Sequence, residues 1–254
     1  MLTKFSLFDS HMHIIDNRFP LVANNGYLPE EFNHQDYLER MSPYKLSGGV
    51  IVSGSFQAFD QSYLTEALSN LGESFVGVTQ LPASISDNEI QRLNSLGVRA
   101  IRFNLKRGGS EIITHLSSMA SRVHEIANWH VELYVDSEEL EELYTTLLNL
   151  PAVSIDHLGL SKSGFKLLMK LAEKGVKVKA TGFSRVDFQV TTALKELYSA
   201  NPSALMFGSD LPSTRAPTPF SDNDFMLVAE TLGEDAAIKV FSENAIEFYK
   251  PKNN

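Results

Sequence analysis

The chain has no cysteine among its 254 residues. That removes disulfides, thiolate nucleophiles and the cysteine-based zinc sites of small metal-binding domains. Positive charge is also short: 22 Lys and Arg against 31 Asp and Glu leave a net charge of −9. No broad basic surface is therefore offered to nucleic acid. No apolar run approaches the roughly 18 residues that span a membrane. The N-terminus lacks a charged-then-apolar leader. These absences set the expectation of a cytoplasmic protein with neither nucleic acid nor membrane as partner. There is no Gly-x-Gly-x-x-Gly after the first strand and no Gly-x-Ser-x-Gly elbow, so dinucleotide binding and serine-hydrolase chemistry have no support. What is left is an ordinary globular composition, 43% apolar and 21% charged. Its length suits one large α/β domain or two small ones.

Apolar, β-branched runs recur at 5–9, 48–53, 74–81, 98–105, 130–136, 152–157, 176–181 and 204–209. They read as strands. Amphipathic stretches lie between them, at 34–44, 60–71, 86–97, 110–129, 137–150, 161–175, 186–201 and 222–233. Several open on a capping residue (Asp60, Ser86, Ser110, Ser137, Asp187, Asp222) and two close on Gly97 and Gly175, the usual start and stop signals. Regular strand–helix alternation implies a parallel sheet. Eight such units in this length predict an α/β fold, a (β/α)8 TIM barrel, as a single domain over residues 1–254. Two long loops, 15–33 and 211–221, are of the kind that carries function.

The most informative segment is FDSHMHII, residues 8–15. A strand has a side-chain period of two, so His11 and His13 project from one face. Two adjacent imidazoles can share a metal ion or polarise one substrate oxygen. In a barrel the active face is the C-terminal end of the strands. There the sequence places Ser53 and Ser55 (strand 2), Gln80 (strand 3), Arg102 with Asn104 and Lys106 (strand 4), Tyr134 and Asp136 (strand 5), Asp156 and His157 (strand 6), Lys179 then Arg185 (strand 7), and Asp210 (strand 8). Lys177 shares parity with Lys179, so either can be the inward lysine. His34, His115, His124 and His130 fall in loop or helix positions, or at the wrong end of a strand. Polar groups at every strand end are costly to bury unless they are paired or line a working cleft.

FDSHMH followed by IDHLG, VKATGFSR and GSDLPSTRAP resembles the amidohydrolase-related (amidohydrolase 2) family of metal-dependent TIM-barrel hydrolases. The similar branch holds 2-pyrone-4,6-dicarboxylate lactonase and sugar lactonases. The resemblance aligns His11 and His13 with the first-strand histidines, Arg102 with a fourth-strand arginine and His157 with the sixth-strand histidine. It aligns Lys179 and Arg185 with basic residues of the seventh strand, and Asp210 with the eighth-strand aspartate. Metal-binding members usually carry a further histidine or modified lysine on strand 4 or 5. Here strand 4 carries Arg102, and the one histidine of strand 5, His130, sits at its start. The resemblance therefore implies either no required cofactor or one divalent metal ion, zinc if present, on His11, His13 and Asp210.

An acidic chain that gathers Arg102, Lys179, Arg185 and Arg215 near three histidines is suited to a small anionic substrate, held as a carboxylate. Ser53 and Tyr134 are further candidate contacts. Asp210 can take a proton from water, while His11, His13 and His157 donate to the developing oxyanion. The expectation is hydrolysis of a lactone of a small carboxylated compound. The alternatives are a metal-dependent hydrolase or decarboxylase of the same superfamily, and a catalytically inactive barrel that binds partners. An oligomer is compatible with the sequence.

Overall fold

A computed structural model describes residues 2–252. Eight parallel strands run in the order β1 to β8, each paired with the next. They are Ser6–Met12, Lys45–Val52, Phe75–Thr79, Val98–Asn104, His130–Tyr134, Val153–Ile155, Lys177–Ala180 and Leu205–Phe207. The barrel closes between the ends of β8 and β1. There Asp210 N–H donates to His11 O at 2.8 Å and His13 N–H to Leu211 O at 2.7 Å. Gly208 permits the approach, since a Cβ there would sit 2.7 Å from His11 Cβ.

The helices are α1 His34–Met41, α2 Ser62–Leu71, α3 Asp87–Ser95, α4 Leu116–Ala127, α5 Leu140–Leu148, α6 Phe165–Glu173, α7 Val190–Ala200 and α8 Asp222–Leu232. Each follows its strand, as the alternation requires. Caps differ in detail from the sequence reading. Ser86 does accept from Glu89 N–H, but Asp136 rather than Ser137 accepts from Glu138 N–H. Helix α4 starts beyond Ser110, whose hydroxyl accepts from Asn104 N–H. Asp187 accepts from Lys162 N–H instead of capping α7. Beyond Gly233, where the sequence reading assigns no element, the chain stays helical: α9 Glu234–Ile238, a π turn Lys239–Glu243 and α10 Asn244–Tyr249. This segment carries Val240, Phe241, Ala245 and Tyr249, all buried. Among the described residues, no helix is long and apolar enough to cross a membrane.

Alternation sorts the strands into two faces. Leu7, Ile51, Ile101, Leu133, Ile155, Val178 and Phe207 join the large core against the helices. Phe8, Val50, Val52, Val76, Val78, Ala100 and Met206 form a second cluster inside the barrel. The β1–β2 register shifts between Asp9 and Met12. That irregularity lets His11 and His13, of odd number, continue the inward face that Phe8 begins.

Candidate active site

The mouth at the C-terminal strand ends is a cleft of about 370 Å³, lined by His13, Ser55, Arg102, Asn104, Arg107, Tyr134, His157, Arg185, Asp210, Thr214 and Arg215, with Gly54 and Phe56. The lining comes from the C-terminal ends of seven of the eight strands, all but β3, and from the segments that follow them. His13 Nε2 lies 3.6 Å from Asp210 Oδ1, and His11 Nε2 lies 3.8 Å from the same oxygen. The His157 ring centre stands 5.0 Å from that of His11 and 4.9 Å from that of Tyr134. His11 Nε2, His157 Nδ1 and Asp210 Oδ1 are buried and have no hydrogen-bond partner. Such unsatisfied groups are costly in a structural core and expected where a substrate or water completes them. His157 and Asp210 also hold left-handed backbone, φ +50 and +59. That costs about 1–3 kcal/mol each and concentrates at functional sites.

Charge is arranged around Asp210. Arg185 donates to its Oδ2 from Nε at 3.0 Å and from Nη2 at 2.7 Å. Burial works to raise this carboxyl, but His157 and Arg185 hold it far below the usual carboxylate range. Burial pushes the His157 imidazole down to about 4 and lowers His11 well below its ordinary value. Both rings are neutral near pH 7 and carry one proton each. His13 Nδ1 is 2.7 Å from Val52 O. A carbonyl only accepts, so in neutral His13 the proton is on Nδ1 and Nε2 presents a lone pair to the cleft.

The arginines divide by what they already hold. Arg102 lines the cleft, but Nη1 donates to Ser53 O at 2.7 Å and Nη2 to Asp156 Oδ2. Two of its donors are thus held by the protein, while Nε has no hydrogen-bond partner. The expectation for Lys179 is corrected: it is fully buried below His11, donates to Glu132 Oε2, and does not reach the cleft. It is nevertheless the inward lysine of β7, for Lys177 donates to Ser203 O and is partly exposed. Ser53 is not a cleft residue either, since its hydroxyl is paired with Tyr63 at 2.6 Å. Tyr134 does line the cleft, as do Arg185 and Arg215. Arg215 is held from the 15–33 loop: Asn24 Oδ1 accepts from it at 2.9 Å, and Tyr27 lies under its guanidinium at 4.3 Å.

Two residues escaped the sequence reading. Arg107 lines the cleft, in a loop where numbering alone gives no direction. Glu132 is fully buried between Lys179 and Tyr249, which donates to it at 3.0 Å. Its signal was available, since it shares parity with Tyr134 on β5. Asp136, also of that parity, pairs instead with Lys106 at 2.7 Å.

Among the described residues, two groups offer atoms mutually within 4.8 Å that could hold an ion: His11, His157 and Asp210 at the cleft, and His11, Glu132 and Asp156 beneath it. The expected trio of His11, His13 and Asp210 does not form such a group. The spacing suits a ligand set, but the surroundings oppose it. Arg185 sits on Asp210 and Lys179 Nζ lies 3.2 Å from His11 Nδ1. A divalent ion would meet two fixed positive charges at close range in a buried site. The donors present therefore do not suit a tightly held metal.

The fold has known counterparts. A protein from Agrobacterium tumefaciens superposes with a TM-score of 0.86 at 19% identity, over 99% of this chain and 98% of its own. A Pseudomonas putida candidate 2-pyrone-4,6-dicarboxylic acid hydrolase matches at 0.80 and 26%, over 98% of each chain. By sequence, 156 residues are 28% identical to the 2-pyrone-4,6-dicarboxylate hydrolase of Comamonas testosteroni, covering 59% of this chain and 51% of that relative. The match thus spans about half of that relative's length. The family model for amidohydrolases runs from residue 8 to residue 250, through every strand that feeds the cleft. By that match the chain belongs to the amidohydrolase family of hydrolases.

Proposed function

We propose that this amidohydrolase opens a lactone of a small carboxylated compound with water activated at Asp210. One observation carries the reading. Three buried residues that each carry an unsatisfied polar atom, His11, His157 and Asp210, come together within 4.8 Å beneath a cleft ringed by Arg107, Arg185 and Arg215. The relatives named for 2-pyrone-4,6-dicarboxylate hydrolysis support the same class of substrate.

Asp210 Oδ1 and His13 Nε2 are both acceptors, 3.6 Å apart. A water between them gives one hydrogen to each and turns its own lone pair towards the substrate. In this reading His13, with its proton on Nδ1 towards Val52 O, orients the water. The water oxygen bonds to the lactone carbonyl carbon, and its proton passes to Asp210. The carbonyl oxygen becomes an oxyanion that accepts from His11 and His157. Collapse breaks the ring C–O bond, and the proton returns to the leaving oxygen, giving a ring-opened hydroxy acid. Asp210 paired with Arg185 alone is a weak base. A substrate carboxylate that shares Arg185 loosens that pair and raises the basicity of Asp210 where it is needed.

The test is acid release from a panel of carboxylated and uncharged lactones, before and after chelator treatment. Turnover confined to carboxylated lactones and indifferent to chelation supports the proposal. No turnover of any lactone would defeat it. Stoichiometric zinc that survives purification, with activity lost on its removal, would favour the metal-dependent hydrolase or decarboxylase, whose support is the close set of His11, His157 and Asp210.

A further inference from the structure

We propose that Lys179 is a positioning residue that decides which nitrogen of His11 carries the proton. His11, Glu132 and Asp156 offer atoms within 4.8 Å of one another, a group that could hold a cation. The cation there is the ammonium of Lys179. It is on Glu132 Oε2, 3.2 Å from His11 Nδ1 and 3.8 Å from Asp156 Oδ1, and all four residues are fully buried.

An ammonium has hydrogens to give and no lone pair. Its contact with Nδ1 therefore requires a bare nitrogen at that position. Asp156 Oδ1 is 3.4 Å from the same nitrogen but completes no hydrogen bond with it. A neutral imidazole with a bare Nδ1 has its proton on Nε2, the atom that faces Asp210 Oδ1 and the cleft. Burial and the charge of Lys179 disfavour a second proton on this ring and outweigh the opposing pull of Asp156. His11 and His13 are thus opposite tautomers. Val52 O makes His13 a lone pair towards the cleft, and Lys179 makes His11 a donor towards it. A metal ion held by His11, His157 and Asp210 would need a lone pair from His11 Nε2, which this tautomer does not offer. The first-strand pair is instead set for an oxyanion and a water.

The catalytic consequence rests on the lactone-opening reading, but the tautomer does not. The experiment is ¹⁵N NMR of histidine-labelled protein, with His11 assigned by its substitution, for the parent and for Lys179→Met. The parent should show His11 protonated at Nε2 only. In Lys179→Met the proton should move to Nδ1, where Asp156 Oδ1 can accept it. Zinc affinity, read by equilibrium dialysis, should rise by about 10–100-fold, the usual range for a partner that tunes a ligand. Turnover should fall on the order of 10²-fold with a smaller change in KM, as when one oxyanion donor is lost. Lys177→Met, one step lower on the same strand, should change none of these. Should Lys179→Met not fold, Lys179→Met combined with Glu132→Gln removes opposite charges together and gives the same readouts. Parent His11 protonated at Nδ1 or at both nitrogens, or unchanged ring shifts in the variant, would overturn the inference. Failure of every lactone to turn over would leave those shifts as they are and strike only the hydrolase reading.

Discussion

The inside of this barrel has two unlike halves. Along β1 to β4 and β8 the inward side chains are Phe8, Val50, Val52, Val76, Val78, Ala100 and Met206, packed on one another. Along β5 to β7 the same positions hold Glu132, Ser154, Asp156 and Lys179, equally buried, with Arg102 of β4 at the boundary. The apolar half stabilises by removing area from water, a contribution without direction. The ionic half must balance itself: Arg102 and Lys179 face Glu132 and Asp156, so full ionisation leaves no net charge. Burial raises Asp156, but Arg102, His11 and Lys179 hold it well below the carboxylate range. Such a network is poor value as stabilisation and good value as geometry. The difference teaches that the half beneath His11 and His157 is wired to aim them, while the other half is filler.

The sharpest contrast sets Asp210 against Met206, four residues apart on the same strand end. Asp210→Asn should lower kcat by on the order of 10²–10⁴ with a modest change in KM, as expected when a general base is lost. Steady-state kinetics on an active lactone checks this, and near-normal turnover would mean the base lies elsewhere. Within the ionic half, Asp156→Asn should cost about 3–5 kcal/mol in denaturant melts, because the buried Arg102 loses the carboxylate that its Nη2 meets and the network is left with an excess positive charge. Met206→Ala in the apolar half should cost about 2–5 kcal/mol from its cavity, with kcat of the folded protein unchanged. A Met206→Ala enzyme as crippled as Asp210→Asn would erase the distinction between the halves.

Much of this division was legible in the sequence. The eight strands follow from apolar runs and their alternation with helices, and β2 and β3 read as plain V-x-V. On β5 to β7 the inward parity spells His130-x-Glu132-x-Tyr134, Ser154-x-Asp156 and Lys177-x-Lys179, so Glu132 could have been placed inside by counting in twos. What could not be read is which cation meets which anion. Arg102 lines the cleft as its strand end implies, but it also donates to Ser53 O and Asp156, a pairing that requires β2, β4 and β6 in three dimensions. Arg107 and Arg215 lie on loops whose direction is fixed by contacts from the 15–33 segment, and no periodicity reports that.

Acid should expose the ionic half selectively. Burial pushes His157 from 6.5 down to about 4. The unfolded ring takes its proton through pH 6.5 and the folded ring only through about 4, so this stability is whole above pH 6.5 and lost as pH falls through that window. At 1.36 kcal/mol per unit, going from pH 7 to pH 5 removes about 2 kcal/mol. Glu132 runs oppositely: burial pushes it from 4.5 up to about 7, so its share falls as pH rises through that range. The two partly cancel, and the His157 share must be read by difference. Between pH 7 and pH 5, His157→Gln should lose about 2 kcal/mol less than the parent in paired denaturant melts. Equal losses would mean that the ring is not buried neutral.

The smallest expected effect lies at the rim, where charge is still free to meet substrate. Arg107 is partly exposed, lines the cleft and lies close enough to lower the proton affinity of Arg215, on which burial acts more strongly. Two like charges kept side by side at a cleft mouth are costly until an anion sits between them. Arg107→Met should therefore raise KM by about tenfold, equivalent to about 1.4 kcal/mol, with kcat nearly constant, because binding shared by ground and transition states is lost. Esterifying the substrate carboxylate should hurt the parent by a similar factor and leave Arg107→Met almost indifferent. Asn24→Ala gives the matching check through the loop, since it removes the side-chain bonds to Arg215 and to Arg107 O without touching any charge, and leaves Arg215 on Asn24 O. If esterification weakens Arg107→Met as much as the parent, the carboxylate is held deeper, by Arg185 alone, and the loop arginines are solvated bystanders.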